Sequence, residues 1–152
     1  MVMNVENTVR VSVRDVVDYV YSEGDIISFM TQKNRLREGT QVHHGIQSRD
    51  KGEKEVFVRL NCEVDGFSVF LQGRIDLLSK DNDVYHVIEI KSTDSLENLS
   101  DFPREAHAAQ AKMYGFMLFD NFSLDKNADV KITVLYVDIN NYERKYFTES
   151  FA

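Results

Sequence analysis

The 152-residue sequence has little of what staples, breaks or anchors a chain. Its one cysteine, Cys62, excludes an internal disulfide, a multi-cysteine zinc site and a four-cysteine iron–sulfur cluster. A single thiol also fits a reducing compartment. The one proline, Pro103, falls in a loop, and no Pro/Gly/Ser-rich linker or internal repeat divides the chain. The longest wholly apolar or aromatic stretches, such as Gly115–Phe119, fall far short of the roughly 18 residues that a membrane span needs. The opening residues Met1–Arg10 carry acid and no apolar run, so no signal peptide is expected and the cytoplasm is the default location. Positive charge is also short. Eighteen Lys and Arg stand against 25 Asp and Glu, a net charge of −7. That argues against a domain that grips nucleic acid by bulk charge. It leaves room for a nucleic-acid enzyme whose site is locally positive or recruits cations.

What is present is ordinary for a globular protein: 43% apolar residues, 28% charged, and ten Phe with seven Tyr, which argues against disorder. The length suits one domain spanning 1–152. A chain of this size buries about 70% of its unfolded surface and needs no metal or disulfide to fold.

Ser12 followed by Asp15 reads as a capping box, and Val13, Val16, Val17 and Val20 then follow helical spacing towards a stop at Gly24. A second helix is expected over Arg35–Ser48. Strands are expected over Lys54–Val64 and Phe67–Leu78, joined by the two-residue turn Asp65-Gly66. A turn at Lys80–Asp83 leads to a third strand, Val84–Thr93, where Val84, His86, Ile88 and Ile90 alternate with Tyr85, Val87, Glu89 and Lys91. Glu105–Phe119 reads as a helix. Asp129–Ile139 and Tyr142–Phe151 read as a closing hairpin around Asn140-Asn141. The order α, α, β, β, β, α, β, β implies an α/β fold, a sheet flanked by helices.

The chemistry concentrates in Gly73-Arg-Ile-Asp76 and Val87-Ile-Glu89-Ile-Lys91. Glu89 and Lys91 are two apart on a strand and share a face, and the hairpin can set Asp76 beside Glu89. Two carboxylates so placed make a hard oxygen site suited to Mg²⁺ or Mn²⁺. A neighbouring lysine can hold an attacking water, which is the equipment of phosphodiester hydrolysis. Surface ion pairs at strand ends produce the same short pattern. Glu89, however, lies among Val87, Ile88 and Ile90 in an expected central strand, where an acid is costly unless paired or metal-bound. Two helices extend the pattern. Gly39-Thr-Gln-Val-His43 precedes the strands, with Gln47 one turn on. Gln110-Ala-Lys-Met-Tyr114 follows them, with Gln110 and Tyr114 on one face.

These four elements together resemble the PD-(D/E)xK nucleases, specifically the RecB-like branch. That branch carries a G-x-x-x-H helix, a G-x-x-D strand end, a (D/E)-x-K strand and a Q-x-x-x-Y helix, read here as Gly39…His43, Gly73…Asp76, Glu89-Ile-Lys91 and Gln110…Tyr114. The match covers about Arg35–Ile139. It implies a restriction-endonuclease-like αβββαβ core of mixed sheet, with an extra N-terminal helix and a C-terminal hairpin strand. It also implies that His43, Asp76, Glu89 and the Ile90 carbonyl hold Mg²⁺ or Mn²⁺, that Lys91 is the catalytic lysine, and that Gln110 and Tyr114 position DNA or support the site. The cluster-binding cysteines of some members are missing, so no iron–sulfur cluster is expected. Gln47 stands where many members have an acid. Val9–Val17, Arg37-Glu-Gly-Thr…His43-His44 and Ala106–Tyr114 further resemble the N-terminal nuclease-like domain of DinG-type, iron–sulfur-family DNA helicases. That resemblance implies DNA as substrate, a role in repair or recombination, and a helicase module in the same parent chain, with no membrane partner.

Several residues keep two readings. His44 is the alternative to His43, because helix phase is not fixed to one residue. His86 shares the strand's apolar parity and reads as packed. His107 shares the face of Gln110 and Tyr114 and either touches phosphate or sits at the surface. Arg74 shares strand parity with Asp76 and either meets phosphate or pairs with an acid, and Lys112 has the same ambiguity. Tyr114 is also compatible with an apolar stripe of Met113, Tyr114 and Met117.

Overall fold

The computed structural model describes residues 7–21, 45 and 51–151. Along the chain run β1 (Thr8–Ser12), α1 (Val13–Val20), β2 (Glu53–Val64), β3 (Phe67–Asp81) and β4 (Val84–Thr93). They are followed by α2 (Glu105–Asn121), β5 (Val130–Asp138) and β6 (Arg144–Phe151). The α/β expectation holds: one six-stranded mixed sheet carries the helices α1 and α2. The expected helix over Arg35–Ser48, with Gly39, His43, His44 and Gln47, lies outside the described residues apart from Gly45. No helix among the described residues is long and apolar enough to cross a membrane.

Local chemistry accounts for the elements that the pattern anticipates. Ser12 Oγ accepts from Asp15 N at 3.0 Å and Asp15 Oδ2 accepts from Ser12 N at 3.4 Å, closing the capping box that starts α1. Asp65 and Gly66 have φ of 50° and 80°, as a tight hairpin turn between right-twisted strands requires. Asn82 and Asp83 do the same at 48° and 66°. That second turn is therefore two residues rather than the four expected over Lys80–Asp83. β3 accordingly runs to Asp81, three residues past its expected end.

One strand was not anticipated. Thr8–Ser12 pairs in parallel with β3 in the register Thr8↔Ser68 to Ser12↔Gln72. Its partner lies sixty residues away, so no local signal marks it. This strand shapes the site. One edge of β3 pairs with β2 in the register Leu60↔Leu71 and Val56↔Ile75. The other edge is shared: β1 takes it up to Gln72, and β4 takes it from Leu77↔Ile88 onward. The sheet forks between them, over Gly73–Asp76. α1 begins at that fork, because Val13 follows the last residue of β1.

The main core lies between the sheet and the two helices. Val13 and Val17 of α1 and Ala111, Tyr114, Met117 and Leu118 of α2 pack on Val58, Leu71, Ile75, Leu78, Val87, Val130, Ile132, Val134 and Tyr136. A smaller cluster of Ile90, Leu135 and Val137 occupies the opposite face. Alternation along β3 fails near its middle. Ile75, Asp76, Leu77 and Leu78 are all buried, and Glu55, opposite Asp76 by register, has φ of 52°. The backbone turns over at this point, and Asp76 points inward as a result.

Candidate active site

Asp76 sits where the β3–β4 ladder stops. Its Oδ2 accepts from Ile90 N at 2.9 Å, so a side chain replaces the missing ladder partner and ties the fork together. One residue before Ile90, Glu89 shares a face with Val87 and points into the space between sheet and helices. Glu89 is 2% exposed. Its Oε1 lies 3.3 Å from Lys91 Nζ, while its Oε2 is buried with no hydrogen-bond partner among the described residues.

That carboxylate is unhappy as a lone anion. Burial, then the charge of Asp76, push its pKa up to about 8, against the opposing pull of Lys91 and Arg14. Two hard oxygen ligands with one orphaned buried atom fit a divalent cation, whose charge would remove both causes of the rise. Among the described residues no group of three His, Cys, Asp or Glu side chains is assembled. The expected third ligand, His43, and its alternative His44 lie outside the described residues.

The remaining motif residues interlock with this pair. Lys91 Nζ donates to Gln110 Oε1 at 2.8 Å, and Gln110 Nε2 donates to Tyr114 Oη at 3.4 Å. Tyr114 is buried in the core, so it serves as packing as well as support. Burial and the nearby Glu89 push its pKa up to about 12, which keeps the hydroxyl protonated. The ring lies against Gly73, where an added Cβ would come within 2.6 Å of Cε1 and 3.0 Å of Oη. The glycine of the G-x-x-D element is thus explained by close approach of the tyrosine of the Q-x-x-x-Y element.

His107 stands one turn before Gln110, and its Nδ1 lies 2.7 Å from Tyr136 Oη. Burial, with the cations Lys91, Arg104 and Arg14, holds its pKa down to about 3, so the ring is neutral. Two further residues are not drawn into the site. Arg74 is exposed on β3, and the cations acting on Glu89 are Lys91 and Arg14. Lys112 pairs at the surface with Glu149 at 3.3 Å. His86, on the opposite face, is half-buried and bonds Thr133 Oγ1 rather than packing against apolar neighbours.

Three participants were missed by sequence reasoning. Arg14 is exposed in the first turn of α1, yet its charge acts on Glu89, His107 and Tyr114. The Ser12–Asp15 capping box fixes its place on α1, but only the β1–β3 pairing brings that turn to the fork. Arg104 immediately precedes α2, and Tyr136 lies opposite Lys91 in the β4–β5 register. Neither carries a motif.

Comparison with known proteins places the chain in a family. The family model described as PD-(D/E)XK nuclease superfamily matches residues 6–151. Among solved structures, the crystal structure of SSO0001 is similar, with a TM-score of 0.61 at 23% identity over 99% of this chain and 72% of that one. This likeness bears on the fold alone. No curated protein gives a significant match. With the family match running through nearly every described element, the chain belongs to the PD-(D/E)XK nuclease superfamily.

Proposed function

We propose that this protein is a divalent-metal-dependent DNA nuclease of the RecB-like branch, acting in DNA repair or recombination as the nuclease-like part of a DinG-type helicase chain. The observation that carries the reading is the buried Oε2 of Glu89, beside Asp76 and Lys91 and without a hydrogen-bond partner among the described residues. A structural acid in a central strand would be fully bonded.

Asp76, Glu89, His43 and the Ile90 carbonyl are the groups that would hold Mg²⁺ or Mn²⁺. Such an ion supplies Lewis-acid charge at the scissile phosphate and acidifies bound water. The chain's own groups do the positioning. Lys91, held by Glu89 and Gln110, orients the attacking water. Gln110 fixes the lysine and is itself fixed by Tyr114. His107 adds a neutral donor and Arg14 a cation whose charge acts on Glu89, and Arg74 is left to contact the DNA backbone from the exposed strand. Labelled single- and double-stranded DNA incubated with the protein and Mn²⁺ should be cut, and Lys91→Ala should abolish cutting. No cutting by the wild type, or equal cutting by the variant, would sink the proposal. Mn²⁺ binding followed by its relaxation effect on water protons gives an independent readout, which Asp76→Asn should weaken.

The net charge of −7 favours a second reading, a catalytically silent DNA-binding or docking module within a helicase. Its signature is DNA binding at low salt with no cleavage under any divalent metal.

A further inference from the structure

We propose that the cleft at the C-terminal ends of β4 and β5 is a nucleotide subsite. It would take the phosphate and sugar next to the scissile phosphate, with Arg104 and His107 as the phosphate contacts. This inference rests on the nuclease reading for its substrate and on separate residues for its geometry.

The cleft has a volume of about 270 Å³. That is just under the usual span of small-molecule sites, about 300–1,000 Å³, and suits one nucleotide rather than a duplex. It forms where two neighbouring parallel strands end and the chain turns away to α2. Ile139 N donates to Thr93 O at 3.0 Å and joins the two strand ends behind it. It adjoins the candidate site on two sides: lining residue Ser92 follows Lys91, and lining residue His107 is one turn before Gln110.

The polar wall of the cleft is built, not incidental. Tyr136 Oη is buried, with the residue 2% exposed. It accepts from Arg104 N at 3.0 Å and lies 2.7 Å from His107 Nδ1. With Arg104 N–H as its donor, the hydroxyl proton has His107 Nδ1 as acceptor. That places the imidazole proton on Nε2 and leaves a neutral N–H donor on the histidine. The same hydroxyl fixes the start of α2, whose unsatisfied N–H groups and dipole favour an anion. No side chain caps this helix; the exposed Arg104 is its N-cap residue, and Glu105 is the acid of its first turn. Lys91 and Arg14 add their charge at His107. In a chain of net charge −7, the ring thus lies in the field of three cations from three parts of the chain. Asp94 is the one acid lining the cleft, and its carbonyl is tied to Asn140 Nδ2 at 3.0 Å. Leu99 and Ile139 supply an apolar rim against which a deoxyribose can lie. Cation, neutral donor and apolar rim together describe a nucleotide and not a bare anion.

The test uses the full chain without metal and thymidine 5′-monophosphate as probe. Nuclear magnetic resonance should show saturable shifts at the Arg104 side chain and the His107 ring. Arg104→Ala should weaken that binding about tenfold, the effect of losing one charge-assisted contact, and Arg104→Lys should restore part of it. Tyr136→Phe should also weaken binding, through loss of the hydroxyl that orients His107. Glu89→Gln, which silences the candidate metal site, should leave it within about twofold. In DNA cleavage, Arg104→Ala should raise KM about tenfold and leave kcat within about twofold. Unmoved Arg104 and His107 signals, together with an unchanged KM in Arg104→Ala, would overturn the subsite while DNA cleavage by the wild type still upheld the nuclease reading. Binding of inorganic phosphate as tight as that of the nucleotide would overturn the nucleotide assignment. Nucleotide binding by a protein that cuts no DNA would support the cleft and overturn the nuclease.

Discussion

Glu89 and His86 lie three residues apart on β4 and face opposite sides of the sheet. Both are polar groups among apolar neighbours, and the chain treats them differently. His86 bonds Thr133, whose Oγ1 lies 2.8 Å from Thr148 Oγ1, so the chain of contacts reaches the next strand and closes. Glu89 is the more deeply buried of the two and keeps one oxygen without a partner among the described residues. The back face shows what this sheet does with a polar group that serves only structure. Among the described residues the front face departs from that rule at one atom, and the departure marks the candidate site.

Substitutions that reverse the two behaviours test the contrast. Glu89→Gln should cut DNA cleavage by about 100-fold or more, the scale of losing a group that supports transition-state charge. Its stability without metal should move by less than about 1 kcal/mol at pH 7. Burial and the charge of Asp76 push Glu89 towards its neutral form, which the amide resembles. Thr133→Val should do the opposite. It leaves His86 and Thr148 without their shared partner and should cost about 1–3 kcal/mol in urea unfolding with activity intact. If Thr133→Val lost activity and Glu89→Gln lost stability, the contrast between the faces would be wrong.

Gly73→Ala breaks the contrast from within the site. The new Cβ meets the Tyr114 ring at 2.6 Å, so the tyrosine must move, and with it Gln110 and Lys91. Overpacking of this kind costs about 1–3 kcal/mol. Activity should fall further than that loss of stability explains.

Sequence reading reached this geometry unevenly. The Asp65-Gly66 hairpin, the capping box and the acid pair were legible because each depends on residues close in the chain. The Asn82-Asp83 turn was read too wide, since no glycine marks its two left-handed residues. The reason for Gly73 was hidden, because its φ is unremarkable and its constraint comes from a tyrosine forty-one positions later. Arg14 was invisible as a site residue for the same cause: a parallel strand pairing carries it to the fork. Arg14→Ala is the sharpest check on that point. Its side chain is exposed, so stability should shift by about 0.5 kcal/mol or less while DNA affinity at low salt falls a few-fold.

The smallest expected effect concerns acid. His107 takes its proton only near pH 3, whereas an unfolded histidine takes it near 6.5. Between those values the unfolded chain binds more protons, so stability should decline as pH falls through this window. His86 is also lowered, by burial and then Lys131, and works in the same direction. His107→Asn should flatten part of the decline in chemical unfolding measured from pH 7 to pH 4.

The forked edge of β3 also divides the molecule by how far the chain must travel to make it. Asp76 and Glu89 belong to a run of hairpins whose turns are two residues long. Pairing Thr8 with Ser68 instead closes a loop of sixty residues. Loop closure costs more as the loop lengthens, and a five-residue parallel strand recovers little of it. The strand Thr8–Ser12 is then expected to be released more readily than the hairpin strands β3 and β4. Native-state hydrogen exchange should find its amides opening at lower free energy than those of β3 and β4. A nascent or partly opened chain would already bring its two acids together while still lacking the arginine that α1 delivers.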